Sequence, residues 1–168
     1  MKIGFFAGSF SPFTNGHLHV VKTASKFLDK VIIGIGINQN KLPRFDNNDM
    51  KVAIEKTLVK ENLTNVEVII YNTLSVDAAM ECGANVLIRG LRNSMDYEYE
   101  EKLALINEDF SGLDTFYIRA GSLGNISSSL IMELLEHGKD ASKYLPEDVW
   151  NSIRSNRCIV LNTSYVDP

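Results

Sequence analysis

The 168-residue chain is short of cysteine, histidine and long apolar runs, and each shortage removes a class of function. Cys82 and Cys158 are the only cysteines, so there is no disulfide framework and no CxxC redox or zinc pair; this pattern suits a reducing compartment, and the cytoplasm is the expected location. No stretch is long enough to span a bilayer. The N-terminal apolar run is too short for a signal peptide and is broken by Gly4, Gly8 and Pro12. The net charge of −4 offers no general surface for nucleic acid or an anionic membrane, so any anion must be held by a local cluster of bases. Of the three histidines, His17 and His19 point to different helix faces and cannot share a metal. His19 and His137 read as surface residues. There is no Walker A lysine motif and no GxSxG, and Gly34-Ile35-Gly36 does not complete a dinucleotide GxGxxG. Internal repeats and low-complexity linkers are also missing. What remains is one domain of ordinary globular composition, large enough to bury roughly 70% of its unfolded surface.

Within that frame, short apolar runs alternate with amphipathic segments. Ile3–Ala7, Lys30–Ile37, Val66–Tyr71, Asn85–Gly90 and Thr115–Arg119 read as five strands. Lys30–Ile37 is apolar on both faces, as a central parallel strand should be. Helices are expected from His17 to about Leu28 with Asn15 as N-cap, from Asp46 to about Glu61, and from Ser75 or Val76 to Cys82. Three more are expected from about Asp96 to Phe110, Ser127 to His137, and Pro146 to about Ser155. Strict alternation with short connections predicts an α/β fold, a single-domain Rossmann-like open, mostly parallel five-stranded sheet with helices on both faces. The domain is expected over 1–157, with 158–168 as a tail whose apolar patch Cys158-Ile159-Val160-Leu161 suits a docked strand or a subunit contact.

In such a sheet, ligands sit at the carboxyl ends of the strands, near the switch point. Four stretches fall there. Gly8-Ser9-Phe10-Ser11-Pro12-Phe13-Thr14-Asn15-Gly16-His17 joins the first strand to the first helix. It is a phosphate site in outline, because free N–H groups and the positive end of the helix dipole converge on one place; its glycines alone also fit two ordinary tight turns. Ile88-Arg89-Gly90-Leu91-Arg92 ends a buried strand with two bases. Arginine's planar fork suits phosphate, though two solvated surface arginines would look the same. Asn125-Ile126-Ser127-Ser128-Ser129 is either an N-cap with spare serines or a second helix N-terminus for phosphates. Lys41, in a polar loop with Pro43, is by itself a solvated charge.

Taken together, these stretches carry a resemblance. G-[ST]-F-x-P-x-T-N-G-H resembles the T/HxGH motif of the nucleotidyltransferase superfamily, and its TNGH form is similar to bacterial phosphopantetheine adenylyltransferases. The IRGLR stretch, Asp96-Tyr97-Glu98-Tyr99-Glu100 and ISSS follow in the family's order, and the resemblance runs from about Lys2 to about Ser155. It implies transfer of the adenylyl group of ATP to 4'-phosphopantetheine, giving 3'-dephospho-CoA and pyrophosphate, with Mg²⁺ as cofactor and a homohexameric assembly. It implies catalytic roles for His17, Lys41 and Arg92, with His17 stabilising the transition state. Ser9, Lys41, Ser75 and Arg89 are implied for the acceptor substrate. Ser9, Phe10, His17, Gly90, Leu91, Arg92, Glu100, Leu123, Gly124, Asn125, Ile126, Ser127, Ser128 and Ser129 are implied for ATP. The chain departs from the family at Ser9, often Thr, at Ser11, commonly Asp, and at Leu123-Gly124-Asn125, where an aromatic usually precedes ISSS. Two other readings stand beside this one: a nucleotidyltransferase using CTP or a different phosphorylated acceptor, and a non-catalytic nucleotide-binding module.

Overall fold

The computed structural model describes residues 1–37 and 44–163. Five strands, β1 (Ile3–Gly8), β2 (Lys30–Gly36), β3 (Val66–Tyr71), β4 (Val86–Leu91) and β5 (Asp114–Arg119), form one sheet in the order β3-β2-β1-β4-β5. All four pairings are parallel, so every strand delivers its carboxyl end to the same edge. Among the described residues six α-helices connect or follow them: α1 (Asn15–Ala24), α2 (Asn47–Lys60), α3 (Ser75–Glu81), α4 (Ser94–Ser111), α5 (Ser128–Glu136) and α6 (Glu147–Thr163). The strand order reverses between β1 and β4, which places the loops after these two strands side by side.

Side chains alternate across the sheet, and the two faces have separate cores. Phe6, Val31, Ile33, Ile35, Val86 and Ile88 face a large cluster completed by Val21, Ile54, Ile131 and Val149 from α1, α2, α5 and α6. Ile3, Phe5, Ile32 and Leu87 face a smaller one closed by Val76, Ala78 and Ala79 of α3.

The helix boundaries differ from expectation where a side chain competes for the backbone. Thr14, not Asn15, caps α1, because its hydroxyl takes the His17 N–H, while the Asn15 amide donates to the Lys143 carbonyl at 3.2 Å. The same helix stops at Ala24 rather than near Leu28: the Asn65 amide donates to the Ser25 and Leu28 carbonyls at 3.0 and 3.1 Å and satisfies a chain that has already left the helix. Helix α4 begins two residues earlier than expected because Asn93 accepts from the Asp96 N–H. At the other end, α6 continues through Thr163, so residues 158–161 have helical backbone rather than that of a docked strand.

Candidate active site

The loop from β1 to α1 is built around Phe10, which adopts φ +43° and is 98% buried, being 2% exposed. This turn drives the Phe10 ring back over Gly8, where a Cβ would lie 2.9 Å from the ring. Only glycine fits beneath it without moving the ring. Phe10 in turn meets the His17 imidazole edge-on at 5.1 Å, with Phe13 at 5.5 Å and Phe6 at 6.2 Å. Three aromatic rings therefore surround His17 and hold its plane.

The capping box of α1 uses His17 where glutamate or glutamine is usual. The Thr14 N–H donates to His17 Nδ1 at 3.0 Å, and the Thr14 hydroxyl lies 3.2 Å from the same atom. Burial lowers the His17 pKa to about 4, and the positive charge of Arg92 pushes in the same direction. The imidazole is neutral near pH 7.

At the carboxyl end of β4, Arg89 within the strand and Arg92 just past it are both already paired. Arg89 Nε donates to Glu100 Oε2 at 2.5 Å, and Nη1 reaches the Ala7 carbonyl at 3.4 Å. Arg92 makes a fork with Asp96, through Nε to Oδ2 at 2.9 Å and Nη2 to Oδ1 at 3.2 Å, and its own N–H donates to Oδ2 at 3.1 Å. The arginines are thus held in place by carboxylates of the helix that follows the strand.

The third wall is the start of α5. Ser127 is its N-cap and accepts from the Leu130 N–H at 3.1 Å. The Ser128 hydroxyl donates to the Pro12 carbonyl at 2.9 Å, tying this helix N-terminus to the β1–α1 loop. Before it, the Leu123-Gly124-Asn125 departure forms an ordered turn, with Gly124 pressed so close to the Arg92 carbonyl that a Cβ would approach within 3.2 Å.

These walls enclose a cleft of about 330 Å³. It is lined by Ser9, Phe10, His17, Arg89, Gly90, Arg92, Glu100, Leu123, Ile126 and Ser127–Ser129 among others. Leu91, Gly124 and Asn125 sit beside it rather than in its lining. A second, wider cleft opens toward β2 and β3, lined by Gly36, Ile37, Tyr71, Asn72, Thr73, Leu74 and Ser75. The two clefts share Ala7, Gly8, Ser9 and Arg89. Lys41 lies outside the described residues. Among the described residues no group of three His, Cys, Asp or Glu could hold a metal ion. Among the described residues the only acidic side chain in the first cleft's lining is Glu100, and it is engaged by Arg89.

Three features were not anticipated from the sequence: the reciprocal Thr14–His17 bonds, the Arg89–Glu100 pair, and Tyr71 in the second cleft, where burial raises its phenol pKa against the opposing charge of Arg89. The first had a signal, since Thr-x-x-His has the spacing of a capping box.

An array of two helix N-termini, a neutral imidazole and two arginines suits a polyanion. The cytidylyltransferase-like family model matches residues 5–134. A phosphopantetheine adenylyltransferase of Phocaeicola vulgatus is 41% identical over 148 residues, covering 88% of this chain and 97% of that protein. The chain belongs to the phosphopantetheine adenylyltransferase family. Another relative of that name, from Streptococcus pneumoniae, is 40% identical over 159 residues, covering 93% of this chain and 97% of its own. The fold of this family member extends to more distant proteins. A bifunctional NMN adenylyltransferase/ADP ribose pyrophosphatase from Francisella tularensis superposes with a TM-score of 0.72 at 19% identity, over 94% of this chain and 50% of that one.

Proposed function

We propose that the protein transfers the adenylyl group of ATP to 4'-phosphopantetheine, releasing pyrophosphate and forming 3'-dephospho-CoA. The observation that carries this reading is the meeting of two clefts at Ser9 and Arg89, one of them walled by the N-termini of α1 and α5. A nucleotide triphosphate suits the first cleft, and a phosphorylated acceptor suits the second with its phosphate at the junction.

The chemistry asks little of a covalent catalyst. The acceptor phosphate is already ionised near pH 7, and one of its oxygens attacks the α-phosphorus of ATP. The new phosphorus–oxygen bond forms as the bond from the α-phosphorus to the bridging oxygen breaks, and pyrophosphate leaves with the electron pair. No proton need be removed from the nucleophile. The obstacle is to bring two polyanions together and to stabilise charge gathering on the α-phosphate and the leaving group, which is work for positioned donors. His17 donates to the α-phosphate. Arg89 and Ser9 hold the acceptor phosphate at the junction, and Lys41 is assigned to the same phosphate on the family resemblance alone. Arg92, Gly90 and Glu100 face the nucleotide, and the start of α5 receives the β- and γ-phosphates. Ser75 belongs to the acceptor's side.

Mg²⁺ enters with ATP as part of the substrate, held by phosphate oxygens, since the acidic groups near the described cleft are already engaged by arginines. Assembly as a homohexamer is part of the proposal. It is supported by the exposed apolar side chains Tyr99, Leu105, Ile106 and Phe110 of α4 and Phe116 of β5. A cytoplasmic location fits the proposed step, and no described helix is long and apolar enough to cross a membrane.

The test is pyrophosphate release with ATP, Mg²⁺ and 4'-phosphopantetheine, beside CTP and beside a reaction without acceptor. Release with ATP and that acceptor alone is expected. Release with CTP instead, or none despite ATP binding, would overturn the reading in favour of another nucleotidyltransferase or a non-catalytic module respectively.

A further inference from the structure

The three bonds between Thr14 and His17 leave little freedom in how the imidazole carries its proton. A main-chain N–H can only donate, so His17 Nδ1, 3.0 Å from the Thr14 nitrogen, must accept. The Thr14 hydroxyl accepts from the His17 N–H at 3.3 Å, which turns its own hydrogen to be shared elsewhere, and Nδ1 is 3.2 Å away. Two donors therefore face one ring nitrogen. A proton on Nδ1 would meet the Thr14 N–H head-on, and this excludes both the Nδ1–H tautomer and the imidazolium. The proton of the neutral ring then sits on Nε2, which has no hydrogen-bond partner among the described residues and belongs to a side chain lining the nucleotide cleft. Thr14 itself is 1% exposed, one of two buried polar residues among those described, and it sits in the lining of the same cleft. A flip of the ring would put a C–H where Nδ1 meets these two donors and leave both without their acceptor, and Phe6, Phe10 and Phe13 pack around the ring.

We propose that Thr14 is a positioning residue that fixes the tautomer of His17, so that a neutral Nε2–H, aimed into the cleft, is the donor offered to the nucleotide. It acts through His17 and need not touch substrate. The arrangement has a physical advantage. A neutral donor beside Arg92 costs no charge repulsion, and it requires no reorganisation when charge builds on the phosphate. The helix cap and the catalytic donor are thus one device: the bonds that start α1 also set the protonation of its third residue.

This inference rests on the reading of His17 as a donor to nucleotide, but its first test does not depend on turnover. The free 168-residue chain, labelled with ¹⁵N-histidine, has three histidines, and His17 is assigned by comparison with His17→Ala. At neutral pH the expected spectrum shows His17 with Nε2 protonated and Nδ1 bare. A protonated Nδ1, or an averaged pair of nitrogens showing rapid exchange, would overturn the proposal whatever the enzyme's substrate. The second test is Thr14→Val beside Thr14→Ser. Valine keeps the shape and the main-chain N–H but removes the second donor to Nδ1 and the acceptor that caps α1, so the ring should be free to move off the remaining donor; this should blur the single-tautomer spectrum and lower kcat on the order of tenfold, with the ATP KM moving less. Serine should restore both. Valine with an unchanged spectrum and unchanged kcat would overturn the role of the hydroxyl. Should Thr14→Val fail to fold, the wild-type spectrum and Thr14→Ser still decide: serine with an altered tautomer would count against the proposal.

Discussion

The two sides of the switch point are organised on different principles. On the β1–α1 side, the functional group is neutral, surrounded by rings and fixed by a residue three positions away. On the β4–α4 side, the functional groups are charged and balanced by carboxylates of the next helix, Arg89 by Glu100 and Arg92 by Asp96. Burial is the cause of the difference. A desolvated imidazole discards its charge, as the lowered His17 pKa reports. An arginine cannot be neutralised in this way and must be given a partner instead. The first side offers a preset donor. The second offers cations whose present partners must share them with an arriving phosphate.

The contrast is sharpest for His17→Ala, which removes the preset donor outright. It should lower kcat by on the order of 10²–10³, the usual cost of one transition-state donor, with the protein still folded at assay temperature though its thermal midpoint falls, because the ring packs against three others and completes the cap of α1. Pyrophosphate release beside a melting curve checks it, and unchanged turnover would remove His17 from the mechanism. Next is Arg89→Ala. A charge-assisted bond is worth about 1.5–3 kcal/mol, so the acceptor KM should rise roughly 10- to 100-fold. The ATP KM should move less, because Arg89 sits where the two clefts meet. If ATP use alone suffered, the junction would be assigned to the wrong substrate.

The same contrast explains what could be read from the sequence. The five strands, their parallel alternation and the convergence of three described loops follow from apolar periodicity and from glycine and proline positions, which act over short distances. Thr14–His17 is equally local, and its spacing was visible, though not its consequence for the tautomer. The partners of the arginines were not legible. Arg89 meets Glu100 eleven residues on and the Ala7 carbonyl eighty-two residues back. The motifs supplied the residue types, while the sheet order supplied the pairings. The extension of α6 through Thr163 was hidden for a different reason: an apolar run of four residues reads equally well as strand or helix.

Gly8→Ala tests whether the aromatic enclosure matters to the preset side. Its Cβ would press on the Phe10 ring at 2.9 Å, and overpacking of this kind costs about 1–3 kcal/mol. Because Phe10 meets His17 edge-on, activity should fall more than the loss of stability explains. A variant destabilised but fully active at low temperature would show that the rings serve only the fold.

The smallest effect is a titration, and it separates the two sides without a mutation in the charged one. With a folded-state pKa of about 4 against an ordinary value of 6.5, His17 should show no inflection near 6.5 when its ring resonances are followed in the free protein. The sign for stability follows. The unfolded chain binds the His17 proton below 6.5 while the folded chain refuses it until about 4. The contribution to stability is therefore intact above 6.5 and is lost as pH falls from there toward about 4. His17→Phe, which keeps a ring and cannot titrate, should flatten that part of the Tm-against-pH curve and leave the rest unchanged. A ring that titrates near 6.5 would mean that the enclosure does not exclude the proton, and the distinction between a neutral side and a paired side would fail at its first member.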